Sequence, residues 1–233
     1  MISLLVPSRK RIESLMRMWD SACDLAIDKN NIEMILAIDK DDIVTAKYIL
    51  EHNDDRIKII LQPRDRNLSR LWNQCSILAT GDIMMHCGDD IVFRTNNWDK
   101  IVTDSFDRYN DKIVFVYGKD GINDQAIGTH GFLHRNWVNT LGYFVPPYFS
   151  ADFNDLWLTD VARKIDRLCF INELYTEHMH FMVGKSGQDE VYRERREMRK
   201  QDNCEMLYIS MDNKRFRDAA KLIEFMRTYG DTI

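Results

Sequence analysis

The chain has no long apolar run. Its 233 residues contain no stretch approaching the roughly 18 consecutive apolar residues of a membrane-spanning helix. The apolar run at its start, from Met1 to Val6, is short and follows no basic region, so we expect no signal peptide. The sequence therefore predicts a protein without a membrane span.

Cysteine is scarce and shows no motif. The five cysteines are odd in number, scattered, and without the CxxC spacing of zinc or redox sites. This pattern argues against a disulfide framework and indicates reduced thiols, which predicts a cytoplasmic protein.

A strong excess of either charge is also missing. With 32 basic and 37 acidic residues, the formal net charge is −5. Such a chain has no global attraction for nucleic acid, although a local basic face remains compatible with that balance.

The chain does show a regular alternation of apolar strands and amphipathic helices. Buried strands are predicted at residues 2–6, 32–38, 57–61 and 82–87. Apolar residues at helical spacing lie between them, at residues 12–27, 43–50 and 68–78. This order predicts an α/β fold with a mostly parallel central sheet flanked by helices.

Polar clusters follow three of these strands. They are residues 8–11, residues 39–42 and Gly88-Asp89-Asp90. In an open α/β sheet, ligands bind outside the carboxyl ends of the strands. We therefore expect the three clusters to converge on one crevice.

The pair Asp89-Asp90 is the most informative of the three clusters. Two adjacent carboxylates at the end of a buried strand repel each other unless a positive charge stabilises them. A divalent cation does so, which suggests a metal site for a phosphorylated substrate. The alternative is a solvated loop after a strand.

The pattern changes after residue 92. Helices are predicted at residues 98–106 and 152–164, and strands at 113–117, 128–133 and 168–171. An aromatic, proline-bearing loop spans residues 141–149, and a charged helical tail begins at Glu190.

The order of these motifs resembles the family 2 type of GT-A glycosyltransferases. The matching features are the Pro7-Ser8-Arg9 loop, a second strand ending in Asp39, a helix start at Asn67, and Gly81-Asp82 leading to Asp89-Asp90. The segment that contains Asp152 and Asp155 resembles the stretch of the family that carries the acceptor-side acid. The style of the sequence also resembles small bacteriophage-encoded enzymes, which would place it in the host cytoplasm.

The resemblance implies a domain organisation. A GT-A domain would span residues 1–188, with a Rossmann-like nucleotide-sugar-binding half (1–92) and an acceptor half (93–188). Residues 189–233 would form a charged helical extension.

The resemblance also implies donor-side roles. Pro7, Ser8 and Arg9 would cradle the nucleotide, and Asp39 would accept a hydrogen bond from the base or the ribose. Asp89 would contact ribose or sugar hydroxyls. The alternatives are a simple turn for the Pro-Ser-Arg loop and a helix N-cap for Asp39.

Four cationic residues could meet the diphosphate. Arg70 is preferred over Arg64 and Arg66, since in the family it lies on the helix that faces the crevice. Lys185, on a loop between Gly184 and Gly187, could close over the diphosphate.

The metal, Mn²⁺ or Mg²⁺, would be bound by Asp90 and by a histidine from late in the chain. His178 and His180 are the candidates, with His178 preferred, because neutral imidazole is a suitable ligand for manganese. The alternative is a pair of partly buried strand histidines.

The acceptor side needs a general base that takes the proton from the incoming hydroxyl. Asp155 is preferred and Asp152 is the rival. The alternative for either is an acid favoured by a helix N-terminus.

These assignments predict a metal-dependent, inverting glycosyltransferase that uses a nucleotide sugar, with UDP favoured by the resemblance. The acceptor would be a surface glycan or a hydroxymethylated pyrimidine in phage DNA, held by the basic residues between Arg193 and Lys200. One alternative is a sugar-phosphate nucleotidyltransferase, although its glycine-rich loop after the first strand is missing. The other is a non-catalytic nucleotide-sugar or glycan-binding module. The sequence does not define the oligomeric state.

Overall fold

The computed structural model describes residues 1–230, so the last three residues of the predicted extension lie outside it. Its strands form one eight-stranded sheet in the order β3-β2-β1-β4-β7-β6-β8-β5. The strands are β1 (Ile2–Pro7), β2 (Ile32–Asp39), β3 (Ile57–Gln62), β4 (Ile83–His86), β5 (Ile91–Phe93), β6 (Phe115–Lys119), β7 (Phe132–His134) and β8 (Leu168–His178).

Helices connect these strands and continue beyond them. They are α1 (Ile12–Leu25), α2 (Ile43–His52), α3 (Leu68–Leu78), α4 (Trp98–Asp107), α5 (Arg135–Leu141), α6 (Asn154–Lys164), α7 (Glu190–Gln201), α8 (Cys204–Ser210) and α9 (Asp212–Gly230). Within residues 1–230, every helix is too short or too polar to traverse a bilayer. The five cysteines are free thiols.

The first half of the chain forms the parallel part of the sheet. Strands β1 to β4 are mutually parallel, with Ile2 aligned to both Ile32 and Ile83. β2 is buried along its whole length because helices cover both faces, which explains its near-continuous apolar sequence. The predicted strand–helix order is confirmed here, and the three polar clusters lie at one edge of the sheet.

The second half of the chain differs from the prediction in four places. β7 is confined to Phe132–His134, although residues 128–133 were expected as a strand. β8 runs for 11 residues, from Leu168 to His178, well beyond the predicted 168–171. Neither β5 nor α5 was predicted, because each is too short to show a periodic pattern.

Two apolar cores lie on opposite faces of the sheet. On one face, α1 and α4 pack through Trp19 and Trp98. On the other, α3, α6 and α9 pack through Trp72, Trp157 and Leu222.

The charged tail is helical, as predicted, but it consists of three helices. α9 packs against α5 and α6 in the second core. α7 lies over the carboxyl edge of the sheet, where Val191, Arg195 and Met198 line a cavity together with the strand-end residues. The tail is therefore part of the candidate site.

Candidate active site

The loops after β1, β2 and β4 converge, as the sequence predicted. Ser8, after β1, donates a hydrogen bond from its hydroxyl to Oδ2 of Asp89 at 2.7 Å. Arg9 donates to Asp39, at the end of β2, at 3.1 Å. We call the cavity between these loops and α7 the strand-end crevice. Pro7, Ser8, Arg9, Asp39, Asp89 and Asp90 all line it.

Asp39 is buried at the inner end of this crevice and has two arginine partners. Besides Arg9, Nη1 of Arg64 contacts its Oδ2 at 2.6 Å. The backbone N–H of Asp65 donates to its other oxygen at 3.1 Å. Asp39 does not cap α2, because Asp42 accepts the hydrogen bond from the Thr45 N–H. The two arginines and the Asp65 N–H thus hold the carboxylate of Asp39 in place.

The acid pair after β4 is also buried, with Asp89 5% and Asp90 7% exposed. Burial raises the pKa of Asp89, although Arg11 contacts its Oδ1 at 3.0 Å. Burial also opposes ionisation of Asp90, but His178 and the Tyr192 hydroxyl hold the pKa of Asp90 well below its usual range. The pair is therefore not a solvated loop.

Asp90 and His178 are the best placed residues for a divalent cation. Nε2 of His178 lies 3.5 Å from Oδ1 of Asp90. Two atoms each about 2.1 Å from a shared ion can be this far apart, so the pair fits Mg²⁺ or Mn²⁺. No cluster of three or more acidic, histidine or cysteine side chains in residues 1–230 forms a complete metal centre. The two residues would thus leave coordination positions for phosphate and water, as Mg²⁺ sites commonly do.

The backbone fixes the distance between these two residues. His178 pairs with Ile91 in the β5–β8 ladder, and the Met179 N–H donates to the carbonyl of Asp90 at 2.8 Å. On its other side, Nδ1 of His178 faces Oδ2 of Asp120 at 4.0 Å. At this distance the two atoms form no hydrogen bond, and neither has another hydrogen-bond partner among residues 1–230.

Three predicted residues line neither the strand-end crevice nor the neighbouring cavity that contains His178. Nδ1 of His180 accepts a hydrogen bond from the Met182 N–H. Arg70 is exposed and pairs with Asp65 at 2.9 Å. Lys185 pairs with Glu177 at 2.8 Å. His180 nevertheless adjoins the candidate metal ligand His178, with 5.0 Å between the two ring centroids.

A second cavity lies on the other side of Asp90, and we call it the histidine cavity. Asp152 and Asp155 line it together with His86, His130, Asn154 and His178. Burial raises the pKa of Asp155 to about 6, to which Asp152 contributes by repulsion. Asp152 is paired with Arg195 and Arg199, each at 3.4 Å. Asp155 is therefore the better placed of the two to accept a proton.

Several residues of the site were not singled out from the sequence. His86 and His130 are buried, and burial lowers their pKa values to about 4 and about 3, so both rings are neutral at pH 7. Tyr192 and Arg195 come from α7, whose position over the sheet no local pattern indicates. His86 lies in the apolar run from residue 82 to residue 87, which predicts its burial, whereas no sequence signal indicates the burial of His130.

Helix α7 closes the strand-end crevice. Asp189 pairs with Arg11 at 2.6 Å, Tyr192 donates to Asp90 at 2.6 Å, and Glu194 pairs with Arg64. The enclosed volume is about 90 Å³, below the roughly 300 Å³ of a typical ligand pocket. A larger groove of about 780 Å³ lies beside the crevice, and Tyr192 lines it. Arg11 and Asp90 line both the crevice and the groove.

In open α/β sheets, ligands bind in the crevice outside the carboxyl ends of the strands, which is where this chain places its buried acids and arginines. The glycosyl transferase family 2 model matches residues 3–161, more than half of the chain. The chain therefore belongs to glycosyl transferase family 2. A search of curated proteins gives no match.

Solved structures of glycosyltransferases have the same fold. Residues 1–349 of TarS from S. aureus, in complex with UDP, superpose with a TM-score of 0.59 at 13% identity, covering 75% of this chain and 59% of that one. TarS in complex with UDP-GlcNAc gives 0.59 at 12% identity, covering 83% and 63%. The mannosyltransferase PcManGT from Pyrobaculum calidifontis, in complex with GDP-Man and Mn²⁺, gives 0.63 at 12%, covering 99% and 73%.

The chain thus spans about three fifths of the length of the TarS chain bound to UDP. Identities this low establish the fold alone. Together with the family match, they confirm the predicted GT-A fold.

Proposed function

We propose that this chain is a metal-dependent glycosyltransferase that moves a sugar from a nucleoside diphosphate sugar to an acceptor hydroxyl, with inversion. One observation carries the proposal: Asp90 lines both the strand-end crevice and the cavity that contains Asp155. A sugar held beside Asp90 would therefore have its diphosphate on one side and a candidate base on the other.

The strand-end crevice would bind the donor nucleotide. Pro7, Ser8 and Arg9 would form one wall, and Asp39 would accept a hydrogen bond from the base or the ribose. Asp89 would accept from ribose or sugar hydroxyls. TarS in complex with UDP and PcManGT in complex with GDP-Man share this fold, which supports a nucleoside diphosphate donor for this chain. Family resemblance favours UDP.

Asp90 and His178 would hold Mn²⁺ or Mg²⁺, with His180 as the alternative histidine. A bound divalent cation would supply positive charge to the leaving diphosphate. The protein itself adds Arg11, which is buried and already contacts Asp89 at 3.0 Å. Arg70 and Lys185 would reach the donor only after leaving their present acidic partners.

Asp155 would act as the general base. The acceptor oxygen would attack the anomeric carbon while the bond from that carbon to the diphosphate oxygen breaks. Asp155 would take the acceptor proton, and the nucleoside diphosphate would leave. Its raised pKa fits this role, because a base with a pKa nearer neutrality holds a proton more strongly while remaining ionised at pH 7.

Donor binding would require α7 to move. The strand-end crevice is too small for a nucleotide. Arg11 and Asp90 line both this crevice and the larger groove outside, and Tyr192, which donates to Asp90, lines the groove. Displacing Tyr192 from Asp90 would join the two spaces. Residues 189–201 would therefore act as a lid over the nucleotide-binding half, residues 1–92, with residues 93–188 forming the acceptor half.

The acceptor would be a glycan or a hydroxymethylated pyrimidine in DNA. Arg193, Arg196 and Lys200 are exposed on α7 and free to meet phosphates, whereas Arg195 and Arg199 pair with Asp152. A base in duplex DNA would have to be flipped to reach Asp155. Labelled sugar transfer to hydroxymethylated DNA, tested against a panel of donors, decides between the two acceptors.

Thermal unfolding tests the donor and metal assignments. A ligand at about 100 times its Kd stabilises by about 2.7 kcal/mol, or roughly 5 to 10 °C in Tm for a chain of this size. UDP, GDP, CDP and dTDP are each measured with and without Mn²⁺. A rise for one nucleotide that requires Mn²⁺ supports the proposal, and no rise with any of them overturns it.

The two alternative functions are separated by their products. A sugar-phosphate nucleotidyltransferase would join a nucleoside triphosphate to a sugar phosphate, forming a nucleoside diphosphate sugar and releasing pyrophosphate. A non-catalytic binding module would show the thermal shift but neither transfer nor slow hydrolysis of the donor.

A further inference from the structure

His130 is a buried histidine without a hydrogen-bonding partner. It lies just before β7, is 8% exposed, and packs edge-on against His178 with 4.8 Å between the ring centroids. Neither ring nitrogen has a partner among residues 1–230. Buried polar groups are almost always paired, so an unpaired imidazole beside the candidate site points to a missing ligand or water.

Besides His178, whose unpaired Nδ1 faces Asp120 at 4.0 Å, two further side chains that line the histidine cavity have an unpaired polar atom. Nε2 of His86, on β4, and Nδ2 of Asn154, at the start of α6, have no partner in the described part of the chain. Both side chains are buried, at 6% and 2% exposure, and both line the histidine cavity with His130. Three separate elements thus present unpaired polar atoms to one space.

The Thr129 carbonyl fixes the hydrogen-bonding character of the His86 ring. Nδ1 of His86 lies 3.0 Å from that carbonyl, so it carries the hydrogen and leaves Nε2 as an acceptor. The Ser69 hydroxyl donates to the Phe149 carbonyl and lies 3.0 Å from one polar atom of the Asn154 amide, so the other amide atom is left without a partner. The two ring nitrogens of His130 add further hydrogen-bonding positions. This combination suits hydroxyl groups, because each hydroxyl both donates and accepts.

The cavity has the right size and position for sugar hydroxyls. Its volume is about 90 Å³, the space of roughly three water molecules at about 30 Å³ each. An ideal Cβ on Gly88 would lie 2.7 Å from Oδ1 of Asp90 and 3.3 Å from Cε1 of His130. The missing side chain therefore leaves open the space where the cavity meets Asp90.

We propose that His130, His86 and Asn154 form a subsite for ring hydroxyls of the transferred sugar, and that His130 determines which sugar is accepted. The subsite rests on the proposed function, since it lies between Asp90, which would face the diphosphate, and Asp155, which would face the acceptor. Only the sugar joins those two groups during transfer.

The test compares affinity for the nucleotide alone with affinity for its sugars. Calorimetry with Mn²⁺ gives Kd values for the nucleoside diphosphate that produces the largest thermal shift, and for its glucose, galactose and N-acetylglucosamine conjugates. The sugar contribution is the ratio of the Kd of the nucleoside diphosphate to that of the conjugate. His130→Phe keeps a flat ring but removes both nitrogens, whereas His130→Gln keeps a donor and an acceptor.

In His130→Phe we expect the sugar contribution of the best conjugate to fall by about five-fold or more, with the Kd of the bare nucleotide unchanged. His130→Gln should keep part of that contribution. His52→Phe, on the exposed face of α2, is the matched control and should change neither value. If His130→Phe does not fold, the same ratio is measured in Asn154→Leu, at the opposite wall.

Other outcomes overturn the subsite. An unchanged sugar contribution means that His130 does not contact the sugar, and a rise in acceptor KM alone would place the acceptor in the cavity. Equal weakening of bare nucleotide and conjugate would assign His130 to the diphosphate or the cation. If no nucleoside diphosphate binds the unmodified protein, the proposed function fails first, which is a distinguishable result.

Discussion

The hydroxyl of Tyr192 donates a 2.6 Å hydrogen bond to Oδ2 of Asp90, so a residue of α7 occupies one oxygen of the candidate metal ligand. The guanidinium of Arg11 lies over the ring of the same tyrosine, 4.2 Å from its centroid, and reaches Asp89 at 3.0 Å. Both acids are thus satisfied by the chain itself. A donor and its cation would have to exchange these contacts for their own.

Replacing Tyr192 with phenylalanine should tighten binding of Mn²⁺ with the nucleotide. The hydroxyl would no longer compete for Asp90, and a hydrogen bond to a charged group contributes about 1.5–3 kcal/mol. We expect about a ten-fold lower Kd by calorimetry, together with a lower Tm of the free protein. Tyr229→Phe, on the exposed side of α9, is the control. Weaker binding in Tyr192→Phe would mean that the tyrosine contacts the donor instead.

Asp90→Asn should remove the manganese-dependent part of the thermal shift. The amide keeps the size of the side chain but loses the charge that a hard cation requires. In this variant, the rise in Tm that the nucleotide causes should be the same with and without Mn²⁺. Asp104→Asn, on the exposed face of α4, should behave as the unmodified protein. A manganese-dependent rise that survives in Asp90→Asn would locate the cation elsewhere.

The pH profile of transfer should report Asp155. Burial raises its pKa to about 6, and a general base acts only when deprotonated, so kcat/KM should rise about ten-fold per unit up to that pH and level off above it. An aspartate of ordinary pKa would level off near pH 4 instead.

Asp155→Asn should abolish transfer and leave the nucleotide thermal shift intact. Asp152→Asn is the comparison, because its carboxylate pairs with Arg195 and Arg199. We expect that variant to transfer sugar, with a pH profile shifted to lower pH because Asp152 no longer raises the pKa of Asp155. Loss of transfer in Asp152→Asn alone would reverse the two assignments.

Gly118→Ala should destabilise the fold. An ideal Cβ at this position in β6 would lie 2.2 Å from the carbonyl oxygen of Leu174 in β8, and backbone cannot yield as a side chain can. Overpacking costs about 1–3 kcal/mol, or roughly 2–4 °C per kcal/mol in Tm at this chain length. Gly187→Ala, where no atom lies within 4 Å of the added Cβ, should leave Tm unchanged.

The first half of the fold could be predicted because its signals are local. β1 and β2 are buried along almost their whole length, so their apolar runs are uninterrupted, and α1 carries a clear apolar face. The convergence of Ser8, Asp39 and Asp89 followed from the rule that parallel strands end at one edge.

The parts that escaped prediction depend on tertiary contacts. β5 has three residues and is defined by its pairing with β8, and α7 reads as a solvated basic helix unless its position over the sheet is known. His130 gave no signal because a lone histidine looks the same in sequence whether it is paired or not. Only its burial without a partner singles it out.

The β5–β8 ladder separates the geometry of the Asp90–His178 pair from the choice of ligand, two properties that change together in many enzymes. Asp90 and His178 are fixed by main-chain hydrogen bonds, including the 2.8 Å bond from the Met179 N–H to the Asp90 carbonyl, whereas Arg11, His130 and Tyr192 around them lie on loops and on α7. Ligands held in advance lose little conformational entropy on binding. Substitutions in the surrounding loops can therefore diversify what the chain accepts without rebuilding this pair, which makes the fold a suitable starting point for directed evolution.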